Sequence, residues 1–411
     1  MPCWNRTRGA YGSKSPTNPI RKLRRIELFM KSPASPPKFS SATPLGVSPV
    51  TAALELAPFE TPLLETAAPE PVSRRRAKYS GRSRVGTLTG VQILATGSYT
   101  PENIVRNEDL AELGYDADWI IQRTGIRQRR HAPPEQVTSD VAYEAAVRCL
   151  QAADVSPSDV DLILVATMTP DFPMPTTACL IQQRLGCIAP ALEMNAACSG
   201  FMYALVTAMQ FVKTGCSRRA LVIGVDLMSR TVNPADKRTY PLFGDGGGAV
   251  LLGPGEAEQG FVSYTLGAEG DADGWLCQPA GGTREPITPE VLAAGRQFIH
   301  MEGRSVFKWA VRVLVDSSYD VLHHAQLTPD DMDLIIFHQA NARIIDAAVD
   351  DLQFDRQRVV INLDRYGNTS AGSMPLALDE ACRQDRIRRG DRVLLSGFGG
   401  GLSWGTAIMQ W

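Results

Sequence analysis

From about residue 87 to the C-terminus, apolar runs of strand length alternate with segments of helical periodicity. The runs "LILVA" at 162–166 and "ALVIGV" at 220–225 contain no charged residue. Continuous apolar runs of this length are typical of strands buried on both faces, as in parallel sheets covered by helices. The pattern therefore predicts an α/β fold for this part of the chain.

The same order of motifs occurs twice. "SPSDVDLILVATMT" begins at residue 156 and "TPDDMDLIIFHQAN" at residue 328, so the copies are 328 − 156 = 172 residues apart. The same offset places "RRALVIGVD" at 218 on "GDRVLLSGFGG" at 390, and "AACSG" at 196 on "NTSAG" at 368. Because one offset relates three segments, we predict two similar halves, residues 87–258 and 259–411, in which Cys198 and Ser370 are equivalent.

The first 86 residues have a different composition. Residues 1–50 contain nine Lys and Arg against one acidic residue, Glu27, and are rich in Pro and Ser. Such a segment cannot bury an apolar core, so we expect residues 1–86 to be a disordered extension. Three interpretations of this extension stay open: a dispensable tail, a start codon assigned too early, or an organelle transit peptide. It lacks the apolar region of a secretory signal.

Composition limits the function. The formal net charge of −2 gives no overall basic field that would attract nucleic acid. The eight cysteines have neither zinc-site nor disulfide-scaffold spacing, which indicates mostly free thiols in a reducing compartment. The sequence has no uninterrupted apolar run of about 18 residues, so we expect no membrane span.

Four short segments contain candidate reactive groups. Cys198 precedes the helical pattern "GFMYALVTAMQFV", and a helix N-terminus favours the reactive thiolate. His338 ends an apolar strand, Asn368 lies in "YGNTSAG", and the glycines of "GFGGGLSWG" could point backbone N–H groups at an oxyanion. Taken singly, each segment also fits a structural interpretation: a buried cysteine, a core histidine, an Asx turn and a loop.

Together, "AACSGF", "HQAN", "GNTSAG" and "GFGGG", in this order, resemble the β-ketoacyl-acyl-carrier-protein synthase III family of the thiolase superfamily. The resemblance runs from about residue 88 to 411 and includes "DWIIQRTGIRQR" at 118–129 and "FGDGGGAV" at 243–250. It implies a thiolase-like five-layered αβαβα fold of two duplicated halves. It also implies an acyltransferase that starts type II fatty acid biosynthesis. In this reaction an acyl group, for which we expect acetyl, passes from acyl-CoA to the cysteine. It then condenses with malonyl-acyl-carrier protein, and the products are 3-oxoacyl-carrier protein, CoA and CO₂.

The resemblance assigns the catalytic roles. Cys198 would be the acylated nucleophile. His338 and Asn368 would donate hydrogen bonds to the malonyl thioester carbonyl and stabilise the enolate that forms on decarboxylation. The backbone N–H groups of Cys198 and Gly400 would form the oxyanion hole for acyl transfer. Neither a metal nor a redox cofactor is implied, because CoA takes part as a thioester substrate.

The resemblance also implies where CoA binds. Trp119 would stack on the adenine with Arg123 beside it, and an aromatic ring with a cation suits a nucleotide that carries phosphates. Lys237 stands where the family commonly has an arginine for CoA contact. Asn341, in "HQAN", would contact the pantetheine arm.

Two protein surfaces follow from the same resemblance. Lys308 and Arg343 would belong to a basic patch that docks the acidic carrier protein, although Asp350 and Asp351 stand where some members have basic residues. A homodimer is implied, in which Met174 would reach across to line the partner's acyl pocket. Since methionine is flexible, a longer or branched primer is an open alternative.

Two other functions stay open. One is a related starter-condensing enzyme of a secondary, polyketide-like pathway, which would differ in the acceptor that it uses. The other is a non-catalytic protein that binds acyl-CoA or carrier protein, which would not trap an acyl group on Cys198. The expected location is the cytoplasm, or the plastid stroma if the extension is a transit peptide.

Overall fold

The computed structural model describes residues 83–270 and 273–411. The predicted extension lies outside these residues except for residues 83–86. The described chain forms fourteen strands, which are Val85–Thr89 (β1), Val91–Tyr99 (β2), Ile104–Arg106 (β3), Gln128–Arg130 (β4), Leu162–Ala166 (β5), Ala191–Met194 (β6), Ala220–Leu227 (β7), Asp245–Pro254 (β8), Gly260–Ala268 (β9), Leu276–Cys277 (β10), His300–Met301 (β11), Leu334–Phe337 (β12), Arg392–Gly399 (β13) and Ser403–Gln410 (β14).

Nine α-helices lie between these strands in the described residues: Ala117–Thr124 (α1), Thr138–Ala152 (α2), Thr177–Leu185 (α3), Gly200–Lys213 (α4), Pro289–Ala293 (α5), Gly303–Ala325 (α6), Ala342–Leu352 (α7), Leu363–Tyr366 (α8) and Ser373–Arg383 (α9). None of them combines the length and the apolar character that crossing a bilayer requires.

Two five-stranded mixed sheets form the framework. The first has the order β2-β8-β7-β5-β6 and the second has the order β1-β9-β14-β13-β12. The apolar runs of the sequence form pairs of parallel neighbouring strands, β5 with β7 in the first sheet and β12 with β13 in the second. The next strand in each sheet is antiparallel, β8 beside β7 and β14 beside β13. β1 pairs with β9, so the first described strand belongs to the sheet of the C-terminal half. The division at residues 258 and 259 stays a prediction.

Helices cover both faces of both sheets. In β5, Leu162 and Leu164 face a central apolar layer, whereas Ile163 and Val165 face an outer one. The central layer contains α4 and α9 between the sheets. The outer layers contain α2 and α3 on the first sheet and α6 and α7 on the second. These five layers confirm the predicted αβαβα fold.

The internal repeat is confirmed in the strands and corrected at the helix starts. β5 and β12, and likewise β7 and β13, begin 172 residues apart. Each central helix follows a short 3-10 turn whose first residue is left-handed, Ala197 with φ 45° and Ser370 with φ 51°. Those two residues are 173 apart, one more than the offset between the strands. Ser370 therefore corresponds to Ala197, and the predicted equivalence of Cys198 with Ser370 is wrong by one residue.

Candidate active site

The nucleophile candidate lies where the two halves meet. Cys198 occupies the short turn Ala197–Ser199 that leads into α4. Gly399, the last residue of β13, passes so close that a Cβ atom there would lie 2.6 Å from the backbone nitrogen of Cys198. The glycine run thus brings the second half against the nucleophile turn of the first half.

The Cys198 side chain is buried, with 6% of the residue exposed. Burial raises the pKa of its thiol to about 12; the Ser370 hydroxyl lowers this pKa, and the Asp226 carboxylate raises it further. Burial acts in the opposite direction to the helix N-terminus that the sequence suggested as the activating feature. At neutral pH the thiol is the resting form, and its proton must leave during acyl transfer.

His338 directly follows β12 and is fully buried. Its Nδ1 atom lies 2.6 Å from the Ser373 hydroxyl, which also accepts the backbone N–H of Gln339 at 3.4 Å. The hydroxyl is then placed to donate to Nδ1, which leaves Nε2 as the nitrogen that carries the proton. Burial lowers the pKa of His338 to about 3, so the ring is neutral at pH 7. The ring also contacts Phe398 edge-on, with 5.1 Å between the ring centres.

Asn368 is held by both its backbone and its side chain. Its backbone N–H donates to Leu242 at 2.8 Å, and its carbonyl accepts from Gly244 at 3.0 Å. Its side-chain oxygen accepts the backbone N–H of Ser370 at 2.8 Å. Because the oxygen is engaged in this way, the Nδ2 amide group is the part of Asn368 that can donate to a ligand.

These three side chains line one cavity of about 640 Å³ together with Trp119 and Gly399. Five cationic residues also line it, and no Asp or Glu is among its lining residues: Arg123, Arg238, Arg304, Lys308 and Arg343. A cavity with charge of one sign attracts an anionic ligand and steers its approach. The arrangement suits a phosphate-bearing carrier whose far end reaches the Cys198 thiol.

A smaller recess of about 140 Å³ opens beside the thiol. Met168, Met228 and Phe243 give it apolar walls, and Gly400 lines it together with Cys198. This recess places the backbone of the glycine run next to the nucleophile, as the oxyanion-hole prediction requires. Its small size suits a short acyl chain.

The predicted CoA residues are only partly brought to the cavity. Trp119 is 44% exposed at the cavity, and the Arg123 guanidinium lies 6.0 Å from its ring centre. Lys237 does not line the cavity, because its Nζ atom donates to the Gly114 carbonyl at 2.6 Å, whereas Arg238 lines it. A CoA contact of Lys237 stays a prediction. In the irregular segment that holds both residues, neighbouring side chains point in different directions.

Asn341 lines the cavity, but its amide is already engaged within the protein. Its oxygen accepts from the Arg343 backbone at 2.9 Å and caps α7, and its nitrogen donates to the Arg123 carbonyl at 3.2 Å. The side chain therefore joins α7 to α1. A pantetheine contact of Asn341 stays a prediction.

Met174 lines neither the cavity nor the smaller recess, and its predicted role at a partner's acyl pocket stays a prediction. It is 85% exposed and lies near two other exposed apolar side chains in the sequence, Phe172 at 52% and Ile188 at 98%. The predicted carrier-protein residues Lys308 and Arg343 both lie at the cavity.

Sequence reasoning missed several residues of the site. Ser373, Asp226 and Arg304 carry no distinctive motif, although Arg304 and Lys308 have the i, i+4 spacing that places both on one face of α6. Asp226 had a signal, because it is an acidic residue inside an otherwise apolar strand, "ALVIGVDL". Among residues 83–270 and 273–411, no group of three or more His, Cys, Asp and Glu side chains is arranged to hold a metal ion.

Fold and site together define a thiolase-like condensing acyltransferase, and comparisons with known proteins agree. Residues 192–270 match the family described as 3-oxoacyl-[acyl-carrier-protein (ACP)] synthase III, and residues 322–411 match its C-terminal family. A relative from Rhodopirellula baltica, named beta-ketoacyl-[acyl-carrier-protein] synthase III, is 56% identical over 345 residues, which cover 80% of this chain and 100% of the relative.

Solved structures give the same result. The beta-ketoacyl-[acyl-carrier-protein] synthase III from Thermus thermophilus is 41% identical with a TM-score of 0.73, over 78% of this chain and 99% of that one. The priming beta-ketosynthase of the R1128 polyketide pathway is 33% identical with a TM-score of 0.72, over 79% and 97%. The chain belongs to the β-ketoacyl-[acyl-carrier-protein] synthase III family, whose members are acyltransferases of fatty acid biosynthesis.

Proposed function

We propose that this protein condenses a short acyl group from acyl-CoA, acetyl in the first place, with malonyl-acyl-carrier protein. The products are 3-oxoacyl-carrier protein, CoA and CO₂. The observation that carries this proposal is the shared cavity in which Cys198, His338 and Asn368 meet beneath five cationic side chains. An acidic carrier protein and a CoA phosphate are both anions that such a rim attracts.

In the first step, the Cys198 sulfur attacks the thioester carbonyl of acyl-CoA. The new C–S bond forms, the bond to the CoA sulfur breaks, and the thiol proton of Cys198 leaves with the CoA thiol. The oxyanion of the tetrahedral intermediate accepts hydrogen bonds from the backbone N–H groups of Cys198 and Gly400. The acyl chain enters the recess of about 140 Å³, whose volume favours short chains.

In the second step, the malonyl unit loses CO₂ and its thioester oxygen gains the enolate charge. His338 Nε2–H and Asn368 Nδ2–H donate to that oxygen, which requires a neutral imidazole and an amide with its oxygen turned away. Burial of His338 and the Ser370 N–H bond to Asn368 supply these two conditions. The enolate carbon then attacks the acyl carbon, and Cys198 leaves as the thiolate, which takes up a proton from solvent to restore the thiol.

Two single variants test whether His338 and Asn368 act in condensation and not in acylation. His338→Ala and Asn368→Ala should each lower condensation by about 100- to 1,000-fold, because each removes a preorganised donor. Acylation of Cys198 by acetyl-CoA should stay within a few-fold of wild type. Rapid-quench measurement of the acyl adduct and of CO₂ release separates the steps. Equal losses in both steps would contradict the assignment.

The homodimer is part of this proposal. β6 pairs only with β5 among the described strands, so its outer edge is open, and open edges are usually covered. Phe172, Met174 and Ile188 are exposed apolar side chains that a partner would bury, and Met174 would then reach the partner's acyl pocket. Sedimentation of the full chain tests the dimer. Ile188→Lys should give a monomer, and an unchanged mass for this variant would count against this interface.

A starter enzyme of a polyketide-like pathway is the second candidate, since the R1128 priming synthase has a similar fold over 97% of its own chain. The acceptor discriminates the two candidates, because the fatty acid enzyme turns over the malonyl form of the organism's fatty acid carrier protein. A non-catalytic binding protein would form no acyl adduct at all. The absence of a metal requirement, the cytoplasmic location and its plastid alternative also remain predictions, as does the role of residues 1–86.

A further inference from the structure

No step described above uses the buried carboxylate of Asp226. Asp226 is the penultimate residue of β7 and is fully buried. Its Oδ1 atom accepts from the Thr167 hydroxyl at 2.9 Å, the Met168 N–H at 2.8 Å, and the hydroxyl and N–H of Thr169 at 3.0 and 3.2 Å. This oxygen therefore fixes the loop after β5, which carries Met168 into the acyl recess.

The other oxygen of the same carboxylate holds a segment of the second half. Oδ2 accepts the backbone N–H of Ala371 at 3.0 Å, directly after the left-handed Ser370. The N–H of Ser370 is the donor that engages the Asn368 side-chain oxygen. The turn at Ser370 and Ala371 thus binds the Asp226 carboxylate through one N–H group and orients the Asn368 amide through the other.

The halves are in direct contact at this point. Two residues before Asp226, Gly224 leaves room for the Ala371 carbonyl, which a Cβ atom at Gly224 would overlap. The Asp226 carboxylate thus holds the nucleophile half and the Asn368 half at one fixed separation.

No Lys or Arg in the described part of the chain forms an ion pair with Asp226, so only N–H and O–H groups compensate its charge. Burial raises the pKa of Asp226, and the hydrogen bonds lower it. A carboxylate in such a place costs free energy that an apolar side chain would avoid. Because donors from both halves bind the Asp226 carboxylate, its role is to position these segments and not to stabilise the fold.

We propose that Asp226 is a positioning residue for condensation: one oxygen fixes the acyl-recess wall at Met168, and the other fixes the turn that aims the Asn368 amide. The proposal rests on the proposed function. It has an electrostatic consequence at the nucleophile, because the Asp226 charge raises the pKa of Cys198. Neutralising Asp226 should therefore make the thiol easier to ionise while it makes condensation slower.

This opposite pair of effects gives the test, made on the full chain with Asp226→Asn. Condensation per acylated enzyme should fall by about 10- to 100-fold, since misdirected donors cost rate on this scale. Alkylation of Cys198 by iodoacetamide should shift to lower pH. Asp379→Asn is the control, because Asp379 is also buried and bonded to two hydroxyls, Thr96 and Ser98. It differs in its ion pair with Arg383, and it lies outside the site. The control should keep both readouts within twofold of wild type.

Condensation within twofold of wild type in Asp226→Asn, or alkylation that shifts to higher pH or slows in step with condensation, would overturn the proposal. If Asp226→Asn does not fold, Thr169→Val keeps the side-chain shape and removes the hydroxyl that donates to Oδ1, which is also the acceptor of the Leu227 N–H. It should lower condensation per acylated enzyme by about 3- to 10-fold, the net value of one ordinary hydrogen bond; no loss would overturn the proposal. Failure of the proposed function would look different, because wild type itself would then not condense, whereas alkylation would still report the Asp226 charge.

Discussion

The Nδ1 atom of His338 and the hydroxyl oxygen of Ser373 lie 2.6 Å apart, and this contact joins the end of β12 to the start of α9. It sets which nitrogen of the buried imidazole carries a proton. The sequence places His338 at a strand end, but the tautomer depends on Ser373, which is 35 residues away. A catalytic donor is thus oriented by a side chain that does not face the cavity.

The first prediction concerns this contact. Ser373→Ala should lower condensation by about 5- to 10-fold, because a hydrogen bond worth roughly 1 kcal/mol no longer orients the ring. Acylation by acetyl-CoA should not change. Ser317→Ala serves as the control, since Ser317 is a buried hydroxyl bonded to Thr406 away from the site. Equal condensation rates in the two variants would rule out the orienting role.

The second prediction tests the close approach of the glycine run. Gly399→Ala should abolish detectable acylation and destabilise the fold by about 1–3 kcal/mol, because its Cβ would lie 2.6 Å from the Cys198 nitrogen. Gly282→Ala should be neutral, since no atom lies within 4 Å of a Cβ there. Adduct formation and urea unfolding measure the two effects. Normal acylation by Gly399→Ala would contradict the proposed geometry.

A third prediction separates two neighbouring cations. Arg238→Ala should raise the KM for acetyl-CoA by about 3- to 10-fold, and the effect should weaken at high salt because the charge is partly exposed. Lys237→Ala should leave the KM nearly unchanged, since Lys237 bonds to Gly114 outside the cavity. Steady-state kinetics at two salt concentrations decide between them. The reverse ranking would restore Lys237 as the CoA contact.

The fourth prediction concerns stability in acid. The pKa of His131 is lowered to about 4, mainly by burial and then by the Arg129 guanidinium. Between pH 4 and the ordinary value of 6.5, the unfolded state binds more protons than the folded state, so the free energy of unfolding decreases as pH falls.

His131→Gln should remove this contribution and flatten the dependence by up to about 1.4 kcal/mol per pH unit in that range. The pKa of His338 is lowered as well, but His338 is present in both proteins and its contribution cancels in the difference. Urea unfolding at several values from pH 4.5 to 7 measures the slopes. Parallel curves for the two proteins would show that His131 is not held neutral by the fold.

Much of the architecture could be predicted because it depends on local patterns. β5 and most of β7 are continuous apolar runs, and the repeat of 172 residues relates them to β12 and β13. The same repeat indicated that Cys198 and Asn368 would come together from different halves. These features follow from burial and from connectivity, which the sequence records directly.

The remainder depends on distances between residues that are remote in sequence. The one-residue shift between Cys198 and Ser370 is a difference between two turns, which the constant offset of the strands does not reveal. The raised pKa of Cys198 depends on burial by the second half, and helix position alone suggested the opposite. Asp226 was visible as an acidic residue in a strand, but its two sets of donors come from two different loops.

The most direct test of the account is intact-protein mass spectrometry of the full chain with acetyl-CoA, followed by malonyl-acyl-carrier protein. The account predicts one acetyl adduct on wild type, no adduct on Cys198→Ser, and loss of the adduct with stoichiometric CO₂ release when the second substrate is added. An adduct that persists in Cys198→Ser, or no adduct with acetyl-, butyryl- or isobutyryl-CoA, would contradict it.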